Sequence, residues 1–233
     1  MGPVIETEAK PQTVALTVGV DVGQQQDPTA IVVNDTTWEE REGRVERIHQ
    51  VRRAERLDLG TPYPDVAKRV AAVVKGVVAL APKAEPETIS TAGLVTAARP
   101  ALMVSLVVDA TGVGRPVVDL LKLELAGVRF RLIPVTFNHG ERAEWVPEKA
   151  ELRMGKAYLV SLLQVVLQTS RVKLPRTPEV LQMAEELKNY AIKIEPNGND
   201  VYGAFRVGTH DDLVTALGLA CWRGEATRFY RAY

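Results

Sequence analysis

The first part of the chain has the hydrophobic pattern of three consecutive β-strands. Residues 13–33 (TVALTVGVDVGQQQDPTAIVV) contain an apolar, β-branched run that ends in Asp21, a glycine at Gly23, and a second apolar run that begins after Thr29. β-Branched residues favour strands and glycine favours turns, so this stretch predicts a hairpin. Residues 44–57 alternate polar and apolar side chains in their first half, which predicts a third antiparallel strand with one solvated face. The three strands would form a meander.

The middle of the chain alternates predicted helices and strands. Residues 64–81 have apolar side chains at helical spacing, with prolines near both ends, and predict a helix. Residues 84–100 are rich in Pro, Ser, Thr and Gly without a clear period, and predict a loop. The continuous apolar run 101–109 predicts a strand covered on both faces, because such strands do not alternate. A helix over 112–126 and an alternating strand over 128–137 follow.

Further short elements are predicted in the remaining sequence. In chain order they are a polar connection over 138–148, a long amphipathic helix over 149–170, an extended piece over 171–174, a helix over 177–187 with Thr177 as its cap, a hairpin whose strands 190–195 and 201–207 flank PNGND, and a helix over 211–223. Alternating strands and helices of this kind predict one α/β domain.

Composition limits the classes of protein that this chain can belong to. Of its 233 residues, 46% are hydrophobic, which is ordinary for a packed core. Lys plus Arg and Asp plus Glu both number 29, so no global basic charge marks a nucleic-acid binder, and a site for a polyanion would be local. The single cysteine, Cys221, excludes a disulfide framework and a cysteine-based zinc site, and a reducing compartment fits.

The chain shows no membrane segment and no clean internal domain boundary. No run approaches the roughly 20 apolar residues that span a bilayer. Residues 1–12 are polar and acidic and predict a flexible tail, and residues 13–233 predict one domain.

Four aspartates stand where predicted elements end or begin. Asp21 and Asp109 each end an apolar strand, and Asp211 with Asp212 opens the last helix. An ionised carboxylate at a buried strand end is costly unless a cation is beside it. If these acids converge, they form an oxygen-rich pocket for Mg²⁺ or Mn²⁺, and two such ions activate a water and stabilise the leaving oxygen of a phosphodiester. This chemistry requires no general-base histidine.

A capping role is the alternative for each of these acids. Asp21 precedes a glycine turn, and Asp109 precedes a helix, so either could satisfy local backbone N–H groups. Acids in the first turn of a helix, as at Asp211 and Asp212, are favoured by its dipole by roughly 0.3 to 1 kcal/mol each. Capping does not, however, predict acids at the ends of two separate apolar strands together with a later pair. The metal-site interpretation is therefore favoured.

Three stretches carry a family resemblance. The runs GVDVGQQQDPTAIVV, VVDATGVGRPVVDLL and GTHDDLVTALGLA resemble, in their order and predicted structure, the acidic motifs of the nuclease domain of phage large terminase subunits. The resemblance extends from about Val14 to Arg223 and implies an RNase H-like fold, in which helices flank a mixed sheet of an antiparallel meander and parallel strands. It also implies a metal-dependent endonuclease that cuts double-stranded DNA with little sequence preference, during viral genome packaging in the cytoplasm of the host cell.

Residue roles and partners follow from the same resemblance. Asp21 would bridge two metal ions, Asp109 would bind one, and Asp211 with Asp212 would complete the other. A lysine-containing helix and a basic extended piece before a proline also have counterparts, and imply DNA contacts by Lys149, Lys156, Arg171 and Lys173. The implied partners are double-stranded DNA, a packaging ATPase domain, a portal and a small terminase subunit. Because no Gly-x-x-x-x-Gly-Lys-Ser/Thr loop is present, the resemblance is to the nuclease half only.

Other functions remain open at this point. Actin-like ATPases and sugar kinases also open on Gly-x-Asp-x-Gly, but they need two copies of this core. A dinucleotide loop at residues 112–114 lacks its third glycine, since Val117 stands there. A Holliday-junction resolvase-like nuclease of the same fold, or a non-catalytic module that binds DNA or a portal, would retain the architecture. His210 is either a weak ligand or a surface residue.

Overall fold

The structure, a computed structural model, describes residues 12–23, 27–84, 88–89, 95–96, 101–112, 114–189, 191–194, 200–203 and 211–227. The twelve strands are β1 (Gln12–Asp21), β2 (Ala30–Arg41), β3 (Arg44–Arg56), β4 (Thr88–Ile89), β5 (Val95–Thr96), β6 (Ser105–Asp109), β7 (Arg131–Asn138), β8 (Ala143–Val146), β9 (Glu151–Gly155), β10 (Val172–Lys173), β11 (Ala191–Ile194) and β12 (Asp200–Gly203). The five helices are α1 (Tyr63–Leu80), α2 (Gly114–Glu124), α3 (Lys156–Gln168), α4 (Pro178–Asn189) and α5 (Asp212–Ala226).

Eight of the strands form one mixed sheet, in the order β10-β3-β2-β1-β6-β7-β9-β8. The pairs β1·β2, β2·β3 and β8·β9 are antiparallel, and β1·β6, β6·β7, β7·β9 and β3·β10 are parallel. β4 pairs with β5 and β11 pairs with β12 in separate two-stranded ladders. The predicted α/β class with a mixed sheet is confirmed.

Helices cover both faces of the large sheet. On one face, α1 and α2 pack on inward residues of β1, β2 and β6, such as Val18, Ile31 and Leu106. On the other face, α3, α4 and α5 pack on the residues that alternate with these, such as Val32 and Val107. Because successive strand residues point to opposite faces, the apolar runs in β1 and β6 contribute to both cores. None of the helices in the described part of the chain is long and apolar enough to cross a membrane.

Most predicted elements are present. The meander is formed by β1, β2 and β3; the predicted strands over 101–109 and 128–137 contain β6 and β7; and α1, α2, α4 and α5 lie where helices were expected. Thr177 caps α4, since its Oγ1 accepts the N–H of Val180 at 3.4 Å. The second hairpin is confirmed by β11 and β12, although its PNGND turn lies mostly outside the described residues.

Two predictions were wrong. The polar connection over 138–148 contains strand β8 and the start of a 3₁₀ turn, Pro147–Lys149. The helix predicted over 149–170 begins only at Lys156, because the five preceding residues form β9, whose backbone hydrogen-bonds to β7 and β8. Ala150 separates the 3₁₀ turn from β9 with a left-handed φ of 48°, which a continuous helix would not contain. Strand pairing therefore overrides the helical spacing of the leucines here.

Three other predictions lie wholly or largely outside the described residues. They concern the tail over 1–12, whose last residue Gln12 begins β1, His210, and the loop over 84–100, where the residues described beyond 84 form the paired strands β4 and β5 instead of a loop.

Candidate metal centre

The ends of two neighbouring parallel strands bring the first two acids together. Val20 of β1 is in register with Val108 of β6, so Asp21 and Asp109, the next residue of each strand, lie side by side at the same edge of the sheet. The two carboxyl groups interact directly, since the negative charge of Asp109 raises the pKa of Asp21. Asp109 Oδ1 also accepts the backbone N–H of Thr111 at 2.8 Å. The sequence predicted that each of these acids ends a strand, and the structure shows that the two strands are parallel neighbours.

Helix α5 brings the other two acids to this edge. It crosses β1 so closely that a Cβ on Gly19 would overlap the carbonyl oxygen of Ala216 and lie 3.0 Å from the Ala220 nitrogen. Only glycine permits this approach of helix to strand. Asp211 precedes α5, but its side chain makes no capping hydrogen bond, and Asp212 is the first helical residue. The Asp211 side chain therefore does not cap α5 in the structure.

The four aspartates, called here the acid cluster, repel one another in a buried place. Burial first, and then the negative charge of Asp109, raise the pKa of Asp21 well above its usual value, and Asp211 and Asp212 add to this. Burial also raises the pKa of Asp109, against the hydrogen bonds from Thr111 that lower it. Carboxyl groups with raised pKa values bind a proton or a cation more readily than exposed ones. A bound proton or cation would therefore stabilise the acid cluster.

Two basic side chains lie beside the acid cluster. Lys156 begins α3, and its Nζ is 3.6 Å from Asp211 Oδ2; its charge lowers the pKa of both Asp21 and Asp109. Arg56, the last residue of β3, donates from Nε to Asp212 Oδ2 at 2.7 Å and from a terminal nitrogen to Glu186. Each member of the late acid pair thus has its own cationic neighbour.

The donor chemistry of the acid cluster fits a hard divalent cation, since carboxylate oxygens are the preferred ligands of Mg²⁺ and Mn²⁺. The side chains are not, however, gathered around one point. Within the described ranges, no group of three or more His, Cys, Asp or Glu side chains is placed to hold a metal ion. Asp211 is near Lys156 and Asp212 is bound to Arg56, so the late pair is directed toward protein cations.

The predicted DNA contacts are spread over the molecule. Lys156 lies at the acid cluster, and Lys149 lies on the exposed 3₁₀ turn. Arg171 and Lys173 lie at β10, which pairs with β3 near Gln50, six residues before Arg56 and therefore about 20 Å from the acid edge along the strand. Lys173 is paired with Glu39 at 2.8 Å. A DNA contact by these four residues stays a prediction.

Arg171 belongs to a second charged group, called here the Glu225 cluster. Arg171 approaches Glu225 Oε1 to 2.7 Å, and the fully buried His49 lies 2.9 Å from the same atom through Nε2. Arg47 is 3.7 Å from the other oxygen. The cluster lies near the C-terminal end of α5, at the end of the helix opposite to the acid cluster.

Sequence reasoning missed Arg56 and Glu186. Arg56 lies near the end of a strand predicted to have one solvated face, and nothing in its local sequence indicates a contact with Asp212. Glu186 carries a usable signal: it lies three residues after Met183 and six after Val180, both buried in α4, so it occupies the apolar face of that helix. A charged residue on such a face requires a partner.

Known proteins resemble this chain in fold and not in sequence. No protein-family model matches the chain, and no curated protein matches it in sequence. Solved structures do match. The magnesium-bound large terminase nuclease from thermophilic phage G20c has a TM-score of 0.54 and 20% identity over 90% of this chain and 81% of that one. The chain has the fold of phage large terminase nuclease domains.

Two further terminase nuclease domains support this fold. The domain from Thermus phage P74-26 has a TM-score of 0.53 and 18% identity over 93% of this chain and 83% of its own. The domain of the large terminase subunit from bacterial virus Sf6 has a TM-score of 0.51 and 10% identity over 89% and 87%. The terminase nuclease fold thus extends over most of the chain, and in it the acid cluster lies at the sheet edge where β1 and β6 end.

Proposed function

We propose that this chain is a metal-dependent endonuclease that hydrolyses double-stranded DNA in viral genome packaging. The observation that carries the proposal is electrostatic: Asp109, Asp211 and Asp212 all lie near enough to Asp21, at one sheet edge, to raise its pKa, within a fold shared with terminase nuclease domains. Asp21 and Asp109 would hold Mg²⁺ or Mn²⁺ together with Asp211 and Asp212, and we propose two ions. Bound there, the ions would supply activation of water and neutralisation of the charge that develops on the leaving oxygen.

The electrostatics of the acid cluster support this assignment. Among the residues that the structure describes, four buried or half-buried carboxylates face two protein cations, Lys156 and Arg56, and Arg56 is shared with a fifth carboxylate, Glu186. Negative charge is therefore in excess. Like charges held together at a cost are typical of functional sites, because a structural network would pair them fully. A polyanion such as DNA would approach this edge only once the excess negative charge is neutralised.

The chain's own groups have separable tasks in the reaction. Hydrolysis joins a water oxygen to phosphorus and breaks the bond from phosphorus to the 3′ oxygen, which leaves a 5′-phosphate and a 3′-hydroxyl. Asp21 and Asp109 would hold the ions through their carboxylate oxygens, since a bound cation would offset the burial and like charge that raise the pKa of each carboxyl. Lys156 holds a positive charge next to Asp211, where it would contact a phosphate oxygen of the DNA.

The proposed biological setting is that of the family resembled. A packaging ATPase domain, a portal and a small terminase subunit would act with this domain in the cytoplasm of an infected bacterium. The large terminase nuclease domains with the same fold support this setting.

Cleavage of supercoiled plasmid tests the function. We expect linear and open-circular DNA with Mg²⁺ or Mn²⁺ and none with chelator. Asp21→Ala and Asp109→Ala should each lower the rate on the order of 10³-fold or more, because each removes charge that only the acid cluster supplies. Both variants should keep the far-ultraviolet circular dichroism of the parent protein.

Asp119→Asn is the matched control, since Asp119 is an exposed acid of α2 paired with Lys122 at 2.8 Å, and it should cut normally. Full plasmid cleavage by both Asp21→Ala and Asp109→Ala would show that the acid cluster is not the catalytic site. Plasmid binding without cleavage under every metal condition would favour a non-catalytic DNA-binding module instead. Strong preference for four-way junctions over linear duplex would favour the resolvase-like reaction.

A further inference from the structure

Two buried carboxylates from different elements share one arginine. Arg56 Nε donates to Asp212 Oδ2 at 2.7 Å, and a terminal nitrogen of Arg56 donates to Glu186 Oε1. The other oxygen of Glu186 accepts the backbone N–H of Leu213 at 3.1 Å. Glu186 therefore holds both the arginine and the backbone next to Asp212. β3, α4 and α5 meet at these contacts.

Burial makes this network electrostatically strong. Asp212 is 3% exposed and Glu186 is 8% exposed, so solvent screens neither carboxylate well. Arginine keeps its charge at every accessible pH and has donors enough for both acids. The two acids and the arginine together carry one net negative charge. Any divalent cation that approaches Asp212 therefore meets the positive charge of Arg56 at the same carboxylate.

We propose that Arg56 and Glu186 set the affinity of the metal centre, Arg56 by competing with a divalent cation for Asp212, and Glu186 by drawing Arg56 away from it. The proposal rests on the metal-dependent function proposed above. Arg56 and Glu186 are positioning residues, since they act through Asp212. A stronger contact between Arg56 and Glu186 leaves the charge of Asp212 less neutralised by Arg56. More of that negative charge is then available to a metal ion.

The proposal predicts opposite effects for the two residues. Arg56→Gln removes the competing cation and should tighten Mn²⁺ binding on the order of tenfold, because a full charge in contact with Asp212 is lost from a poorly screened place. Glu186→Gln leaves Arg56 wholly to Asp212 and should weaken Mn²⁺ binding by a similar factor. A purely structural role would weaken binding in both variants, because both would displace the start of α5.

Isothermal titration calorimetry of the full chain with Mn²⁺ at pH 8 measures these affinities without any need for catalysis. Arg52→Gln and Glu185→Gln are matched controls. Arg52 lies on the same strand as Arg56 but pairs with Asp35 at 2.7 Å, and Glu185 adjoins Glu186 but pairs with Lys188 at 2.6 Å on the surface. Both controls should bind Mn²⁺ as the parent chain does.

Each result has a defined meaning. Tighter binding in Arg56→Gln and weaker binding in Glu186→Gln support the proposal. If Arg56→Gln does not fold, Glu186→Gln decides it, together with Arg56→Lys, which keeps the charge and should not tighten binding. Weaker or unchanged affinity in a folded Arg56→Gln, or unchanged or tighter affinity in Glu186→Gln, overturns this inference alone. Absence of Mn²⁺ binding by the parent chain overturns it together with the proposed function.

Discussion

The two ends of helix α5 carry charged groups of opposite character. At its start, the acid cluster has more negative charge than its neighbours Lys156 and Arg56 supply, and the pKa of Asp21 is raised. At its end, Glu225 is surrounded by positive groups. Burial alone would raise the pKa of Glu225, but the hydrogen bond with His49 and the charge of Arg171 outweigh burial and lower that pKa.

The comparison distinguishes a group of carboxylates that a bound cation would stabilise from a carboxylate that the chain's own groups already stabilise. In the Glu225 cluster the carboxylate is stabilised as an anion by groups of the chain itself. In the acid cluster the ionised form of Asp21 is disfavoured, so an external cation would release free energy on binding. Both groups are rich in buried charge, and the direction of the pKa shift is what distinguishes them.

Removing the central acid of the Glu225 cluster should give the largest effect on stability. We expect Glu225→Ala to lower the free energy of unfolding by about 2 to 3 kcal/mol, because buried His49 and Arg171 lose their shared acceptor. Urea denaturation monitored by circular dichroism measures the change. Glu185→Ala, which removes an exposed acid, should stay within about 0.5 kcal/mol of the parent. Mn²⁺ affinity should be unchanged, and its loss would refute the separation of the two ends.

Neutralising Asp21 in the acid cluster should raise the free energy of unfolding, whereas Glu225→Ala should lower it. Asp21 binds its proton more tightly in the folded than in the unfolded chain, because its folded pKa is raised. Between the unfolded pKa and the raised folded pKa the folded state holds more protons, so stability falls as pH rises through that window. We expect Asp21→Asn to stabilise the metal-free protein near neutral pH, because the variant removes a carboxylate whose ionised form burial and neighbouring acids disfavour.

Urea denaturation in chelator from pH 4 to pH 8 checks this expectation. The parent should lose stability toward higher pH relative to Asp21→Asn, and added Mn²⁺ should reverse the order of the two proteins. A variant less stable than the parent at every pH would show that the Asp21 carboxylate is not held at a cost.

The smallest expected effect is on how the melting temperature falls at acidic pH. The folded pKa of Glu225 is lowered, so its contribution is present above the unfolded pKa and is lost as pH falls through the folded pKa. Glu225→Gln should therefore flatten the decline of the melting temperature below about pH 4.5, where an ordinary glutamate begins to protonate. Differential scanning calorimetry of both proteins measures the slopes, and equal slopes would contradict the assignment.

The meander and the acids could be predicted because their signals are local. The run in β1 is β-branched and ends in Asp21, and the continuous apolar run of β6 ends in Asp109, so neighbouring parallel strands were enough to place both carboxylates at one edge. Asp211 and Asp212 follow from a helix start that must pack on the same sheet. Each of these steps needs only periodicity and the rule that parallel strands end together.

What could not be predicted depends on contacts between distant elements. Leu152 of β9 continues the helical spacing of the leucines in α3, but β9 is a strand because β7 and β8 offer hydrogen bonds on both sides. Arg56 was expected on a strand with one solvated face. Its contact with Asp212 arises only when β3 and α5 are packed together. The role of Lys156 was assigned to DNA alone, whereas the structure also places it 3.6 Å from Asp211.

The order in which the acids occur along the chain has a consequence for synthesis. Ribosomes release Asp21 and Asp109 well before Asp211 and Asp212, and α5 packs onto β1 at Gly19 through its backbone, with no side chain between them. A nascent chain would therefore emerge with two of the four aspartates of the acid cluster, and the cluster would be complete only once α5 had been translated and had docked on β1.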